Sequence, residues 1–151
     1  MTTLRSLTIL LLCLLQFNLW SQPQQYLVIH SSQRYISALL AARQASRLLD
    51  IPLNTRSLEE DPTLGLSLNR SQCITKNGKL QYPNYPLRGP QQEGIYVSIE
   101  YSSPYPGWTP GYYLVIVASG LPTNTRLNQL LLQSQKLYGD AYYKTIEWIK
   151  P

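Results

Sequence analysis

The sequence predicts an α+β domain, an antiparallel sheet with two helices on one face, and three observations predict it. A β-rich run, Tyr26-Leu27-Val28-Ile29-His30-Ser31-Ser32, returns eighty-seven residues later as Tyr113-Leu114-Val115-Ile116-Val117-Ala118-Ser119, with five identities in seven positions. Each run is followed by an apolar pattern of helical period, and each pattern by another strand-like segment. With 151 residues, 44% hydrophobic and only 14% charged, the chain has enough apolar material for one core.

The elements follow in order. Arg5 is the one charge ahead of the apolar run Leu7 to Leu15, which has the length of a signal-peptide segment rather than a membrane span. Ser21 is a small residue suited to the cut, so residues 1–21 are expected to be a signal peptide and 22–151 a single exported domain. No stable membrane span is expected after cleavage, and Cys13 is lost with the leader. From Tyr35 to Leu49 two helical rows, Tyr35, Leu39, Ala42, Leu49 and Ala38, Ala41, Ala45, Leu48, mark a helix. The serines before it are expected to cap it, and Asp50-Ile51-Pro52 to end it. Leu53 to Leu58 reads as the strand closing the first half.

An insert runs from Glu59 to Gly94. It opens on the acidic turn Glu59-Glu60-Asp61-Pro62, and residues 63–92 then hold Arg70, Lys76, Lys79 and Arg88 without a carboxylate. Asn77-Gly78 signals a hairpin with both turn residues at positive φ, and Tyr82 to Pro86 is expected to be extended and exposed. Ile95, Val97, Ile99 and Tyr101 alternate with Tyr96, Ser98 and Glu100, the pattern of a half-buried strand added to the two halves. A Pro- and Gly-rich loop, Ser102 to Gly111, leads to the second run. Thr123 or Asn124 can cap the second helix, whose apolar row is Leu127, Leu130, Leu131, Leu137 and Tyr138, and Gly139 can close it. Ala141 to Ile149 supplies the last strand. Two strand-helix-strand halves of this size pack as a split βαβ, or ferredoxin-like, layout.

This outline resembles the bacterial sporulation-related repeat (SPOR) domain over Tyr26 to Leu58 and Tyr112 to Ile149. The chain departs from that family at Ser31 and Gln33, at Ala118 and Gly120, and in its long insert. The resemblance implies an exported, non-catalytic module of the periplasm or cell envelope that binds peptidoglycan glycan strands stripped of their peptides.

The residues themselves offer a compatible surface. After the leader there are twelve tyrosines and two tryptophans but no phenylalanine, so every aromatic ring carries a polar group. Such rings stack on sugar C–H surfaces while hydroxyls and carboxylates bond sugar hydroxyls. The candidate glycan-binding residues are Tyr96, Glu100, Tyr101, Tyr105, Trp108 and Tyr112, with Tyr96 and Glu100 on a polar sheet face. A second reading is a periplasmic inhibitor or immunity-type protein whose basic insert, Arg70 to Arg88, docks an acidic envelope protein. A third is a hydrolase built on Cys73 and His30. Cys73 is expected to be buried, paired between chains or a free thiol.

Other classes find little footing. A net charge of +5 lacks the dense basic runs of a nucleic-acid binder. One histidine argues against a His-built metal site. Paired carboxylates for glycoside cleavage would have to come from Glu59, Glu60, Asp61, Glu93 or Glu100, which form no recognisable constellation. The sequence indicates no cofactor. Asn69-Arg70-Ser71 matches a glycosylation sequon.

Overall fold

The computed structural model describes residues 21–149, so the expected leader lies, except for Ser21, outside the described residues. The fold is α+β. Its strands are β1 (Ser21–Ser32), β2 (Leu58–Asp61), β3 (Gly65–Leu68), β4 (Gly94–Tyr101), β5 (Tyr113–Gly120) and β6 (Tyr142–Ile149), and its helices are α1 (Tyr35–Leu49) and α2 (Thr125–Leu137). Four strands form a sheet in the order β4-β5-β1-β6, every neighbouring pair antiparallel. Each half therefore runs strand, helix, strand, and the two interlock as a split βαβ unit. Among the described residues no helix is long and apolar enough to cross a membrane.

Both helices lie on one face. Ala38, Ala42, Ala45 and Leu49 of α1 and Leu127 and Leu130 of α2 bury against Leu27, Ile29, Val97, Ile99, Val115 and Val117. The three alanines bring α1 close to the sheet, because a methyl group needs little room. Asn124 caps α2 by accepting from the Arg126 N–H at 3.1 Å. The start of α1 differs from expectation: Arg34 occupies the N-cap position without a side-chain cap, and Ser32 Oγ accepts from the Arg34 N–H at 3.0 Å, two residues too early to cap the helix.

The strand that completes the first half is β4, not Leu53 to Leu58. Leu53 makes only an isolated parallel bridge to Val97, after which Arg56 and Ser57 take positive φ of 54° and 57° and break the extended chain. Ile95 to Tyr101 is thus a strand of the sheet proper and not an addition to it. Leu58 instead opens the β2-β3 hairpin, which sets Leu58 and Leu66 into the helix-side core. Gly65 in this hairpin has φ +78°, and a Cβ there would fall 2.3 Å from the Tyr101 ring. Only glycine fits that approach. Beyond it, the Asn77-Gly78 turn has a positive φ at Gly78 alone, with Gly78 N–H donating to the Thr75 carbonyl and Thr75 N–H to the Lys79 carbonyl. That is a three-residue loop rather than the expected two-residue one.

The two Tyr-Leu-Val-Ile runs pair with each other at the centre of the sheet, Tyr26 opposite Ser119 and Ser32 opposite Tyr113. Their side chains are out of phase. Leu27 and Ile29 face the helices while Tyr26 and Val28 face away; in the second run Tyr113 and Val115 face the helices while Leu114 and Ile116 face away. The halves are therefore not superimposable residue by residue on the sequence match.

The face away from the helices is covered as well. A strap, residues 85–92, crosses it with loop 102–112, and Tyr85, Leu87, Trp108 and Tyr112 pack on Tyr26, Val28, Leu114, Ile116 and Ile146.

Candidate functional site

The strap is fastened by Arg88, which is fully buried. Its guanidinium donates to Ser119 Oγ at 3.1 Å, Ser98 Oγ at 2.9 Å and the Gly94 carbonyl at 2.8 Å, and stacks 3.6 Å from the Tyr96 ring centroid. The strap backbone is read too: Arg88 N–H donates to Tyr105 Oη at 2.9 Å, and Gln24 Nε2 to the Gly89 carbonyl at 3.2 Å. The Tyr26 hydroxyl lies 2.6 Å from both the Arg88 carbonyl and Gln24 Oε1, and accepts from Trp148 Nε1 at 3.0 Å.

Glu100 anchors the neighbouring turn. Its Oε2 accepts from Arg56 Nη2 at 2.5 Å, Tyr85 Oη at 2.7 Å and Tyr105 Oη at 2.8 Å. Burial, reinforced by the Glu100 charge, pushes the Tyr85 and Tyr105 phenols well above their ordinary value, so both act as neutral donors.

This geometry redistributes the expected site residues. Glu100 has no exposed surface and Tyr105 only 2%, so neither faces solvent as a polar sheet surface would. The reason is the strap and loop, which close over the face that strand alternation alone would leave open. Tyr96 is held beneath Arg88 and donates its hydroxyl to the Gln92 carbonyl at 2.8 Å. Tyr101 is on the helix side, 5.0 Å from the Tyr113 ring. Arg88, the end of the basic segment proposed to dock an acidic partner, is withdrawn from the surface. Arg70, Lys76 and Lys79 remain exposed.

Trp108 and Tyr112 do meet at a surface depression of about 400 Å³, together with Ser31, Ser102, Thr109, Leu114, Tyr142 and Lys144. Loop 102–112 is pinned at its neck, where Ser102 N–H donates to the Tyr112 carbonyl at 2.8 Å and Tyr112 N–H to Ser102 Oγ at 2.9 Å. Trp108 is braced from below, its ring edge-on to Tyr26 at 5.6 Å and tilted against Tyr105 at 5.0 Å. Tyr142 and Lys144 reach the same place from β6, because Tyr142 pairs with Val28 and Lys144 with Tyr26 on the face away from the helices. Lys144 is the one charged residue lining the depression. Sequence reading missed Ser31, Tyr142 and Lys144; the signal was the alternation of Tyr142, Lys144, Ile146 and Trp148, once β6 is placed beside β1.

Cys73 is a buried free thiol whose Sγ lies 3.6 Å from the Leu68 carbonyl. His30 Nε2 is buried without a hydrogen-bond partner, so no thiol–imidazole bond is formed. Among the described residues no group of three or more His, Cys, Asp or Glu side chains is placed to hold a metal ion. Asn69 uses its side-chain oxygen internally, accepting from Ser71 Oγ at 2.6 Å and the Gln72 N–H at 3.1 Å.

No family model, curated protein or solved structure matches this chain.

Proposed function

We propose that the chain is an exported, non-catalytic cell-envelope module that binds a glycan strand of peptidoglycan in the depression beside loop 102–112. The observation that supports this reading is the convergence there of three aromatic residues, Trp108, Tyr112 and Tyr142, with the exposed hydroxyl-bearing residues Ser31 and Thr109. Rings offer flat apolar surface to a pyranose while the hydroxyls exchange hydrogen bonds with its rim, the mixture that carbohydrate recognition requires. The pinned loop neck and the braced Trp108 ring favour binding further, since rings already ordered lose little entropy when a ligand arrives. The resemblance to the SPOR family supports the same ligand class.

Pull-down with purified peptidoglycan tests the proposal. The chain from Ser21 onward, which holds every described element, is expected to be retained, and Tyr112→Ala with Tyr142→Ala to release it. Tyr142 is 45% exposed, so its loss leaves the core intact. Tyr105→Ala is the wrong probe, because it removes buried bonds to Glu100 and Arg88. Failure of the native chain to bind, or equal retention of the double variant, overturns the reading.

A further inference from the structure

Among the described residues, the outer surface of the helix layer belongs to neither the core nor the depression. On α1 the residues diametrically opposite the buried Ala38, Ala42, Ala45 and Leu49 are Ile36, Leu40, Arg43 and Arg47, a single row at helical spacing. A solvated helix normally carries polar residues along this crest. Here Ile36 is 50% and Leu40 59% exposed. On α2 the residues opposite the buried Leu127, Leu130 and Ser134 include Leu132 and Lys136, with Leu132 64% exposed. Neither helix contains an aspartate or glutamate.

Both crests thus repeat one pattern, a bare aliphatic side chain beside a cation. Leu40, Arg43, Ser46, Arg47 and Leu53 also line an open depression of about 510 Å³.

We infer that the helix layer is a docking surface for an anionic phospholipid bilayer, which it meets with α1 and α2 lying in the plane of the headgroups. Charge complementarity fixes the sign of the partner: Arg43 and Arg47 on the crest of α1 and Lys136 on that of α2 are exposed, with no carboxylate in either helix. The interleaving of leucine with arginine selects a lipid surface over an acidic protein. In the headgroup zone, arginine reaches phosphate while its apolar stem and the adjacent leucine enter the acyl boundary. An acidic protein would gain from the arginines alone, and the crest offers none of the aromatic anchors that dominate protein interfaces. The saccharide depression is on the opposite face of the sheet, so this inference stands independently of that reading.

Co-sedimentation with phosphatidylcholine vesicles, with and without phosphatidylglycerol, tests it on the chain from Ser21 onward. Binding is expected to the phosphatidylglycerol vesicles, to be absent from pure phosphatidylcholine, and to fall as salt rises. Arg43→Ala with Arg47→Ala should lower the partition coefficient about thirtyfold, at the usual worth of a basic residue near an anionic surface. Leu40→Ser should lower it about tenfold by removing one inserted side chain. Lys76→Ala with Lys79→Ala removes the same two charges from the 74–80 hairpin and should lower it less than about threefold. All these side chains except Ser46 and Leu53 are exposed and left or replaced without touching the core, and an unchanged thermal transition verifies each fold. No binding of the native chain, no loss in the arginine variant, or equal loss in the lysine variant overturns the inference. Capture by immobilised polyglutamate in place of vesicles also overturns it and assigns the face to an acidic polypeptide.

Discussion

Tyr26 to Ile29 in β1 and Tyr113 to Ile116 in β5 carry the same four residues in neighbouring antiparallel strands, where they meet only at Val28 and Ile116, but they use opposite sides of the sheet. In β1 the tyrosine turns away from the helices and reads the strap, with Trp148 donating to its hydroxyl. In β5 it turns toward the helices, where it packs 5.5 Å from Tyr35 and 5.0 Å from Tyr101, and donates to the Gly65 carbonyl at 3.1 Å. Residue identity sets what a strand can bury; the surrounding layers and ladder irregularities decide which side it buries it on. Irregular register falls between Leu27 and Val28 and between Val28 and His30; at the first step Val117 is passed over on β5, and Val117 and Ala118, consecutive residues, both enter the helix-side core.

Arg88→Ala attacks the strap side alone and should cost the most, about 3–5 kcal/mol by urea denaturation, because it strands the Ser98 and Ser119 hydroxyls and the Gly94 carbonyl and leaves a cavity where the side chain lay. A loss below about 1 kcal/mol would show that the strap is not held by its arginine. Next, Tyr26→Phe should cost about 1–3 kcal/mol, since it strands the Trp148 indole N–H and the Arg88 carbonyl in the interior. Tyr113→Phe removes one bond to the β2-β3 hairpin and should cost about 0.5–1.5 kcal/mol. Equal costs would erase the distinction between the two tyrosines.

The smallest effect is in alkaline solution. Burial, followed by the charge of Glu60, raises the Tyr113 phenol from 10.0 to about 12, and burial raises Tyr26 further. A phenol whose folded pKa is raised favours the neutral form, so its contribution is complete below pH 10.0 and is lost as pH climbs toward about 12. Denaturation midpoints should therefore fall across that window, and Tyr113→Phe should flatten the decline. An unchanged slope would show that Tyr113 ionises as freely in the fold as in the open chain.

Much of this was legible in the sequence. The period of α1 marks Tyr35 to Leu49, and the alternation of Ile95, Val97 and Ile99 marks β4. The phase of β5 was not, because Tyr113 to Gly120 are all buried and a strand covered on both faces shows no alternation to read. The false strand at Leu53 to Leu58 ends at left-handed Arg56 and Ser57, residue types that give no warning of that conformation. For the site, Trp108 and Tyr112 were legible from their loop. Glu100 and Tyr105 were not recognised as interior groups, since the strap that buries them looks solvated: its only ionic residue is an arginine. The aliphatic crest of α1 was equally hidden, as Ile36 and Leu40 blend into a helix already rich in apolar residues.

The β1-β6 pairing has a separate consequence. It puts Ser21 opposite Ile149, so the two extremities of the described chain are adjacent strand ends. A short linker could join them, and a cut at the exposed Asn77-Gly78 tip would then create new termini without severing a rung of the four-stranded sheet. Such a circular permutant should keep the same architecture while turning its longest-range strand pairing into a local hairpin, and should fold faster for it.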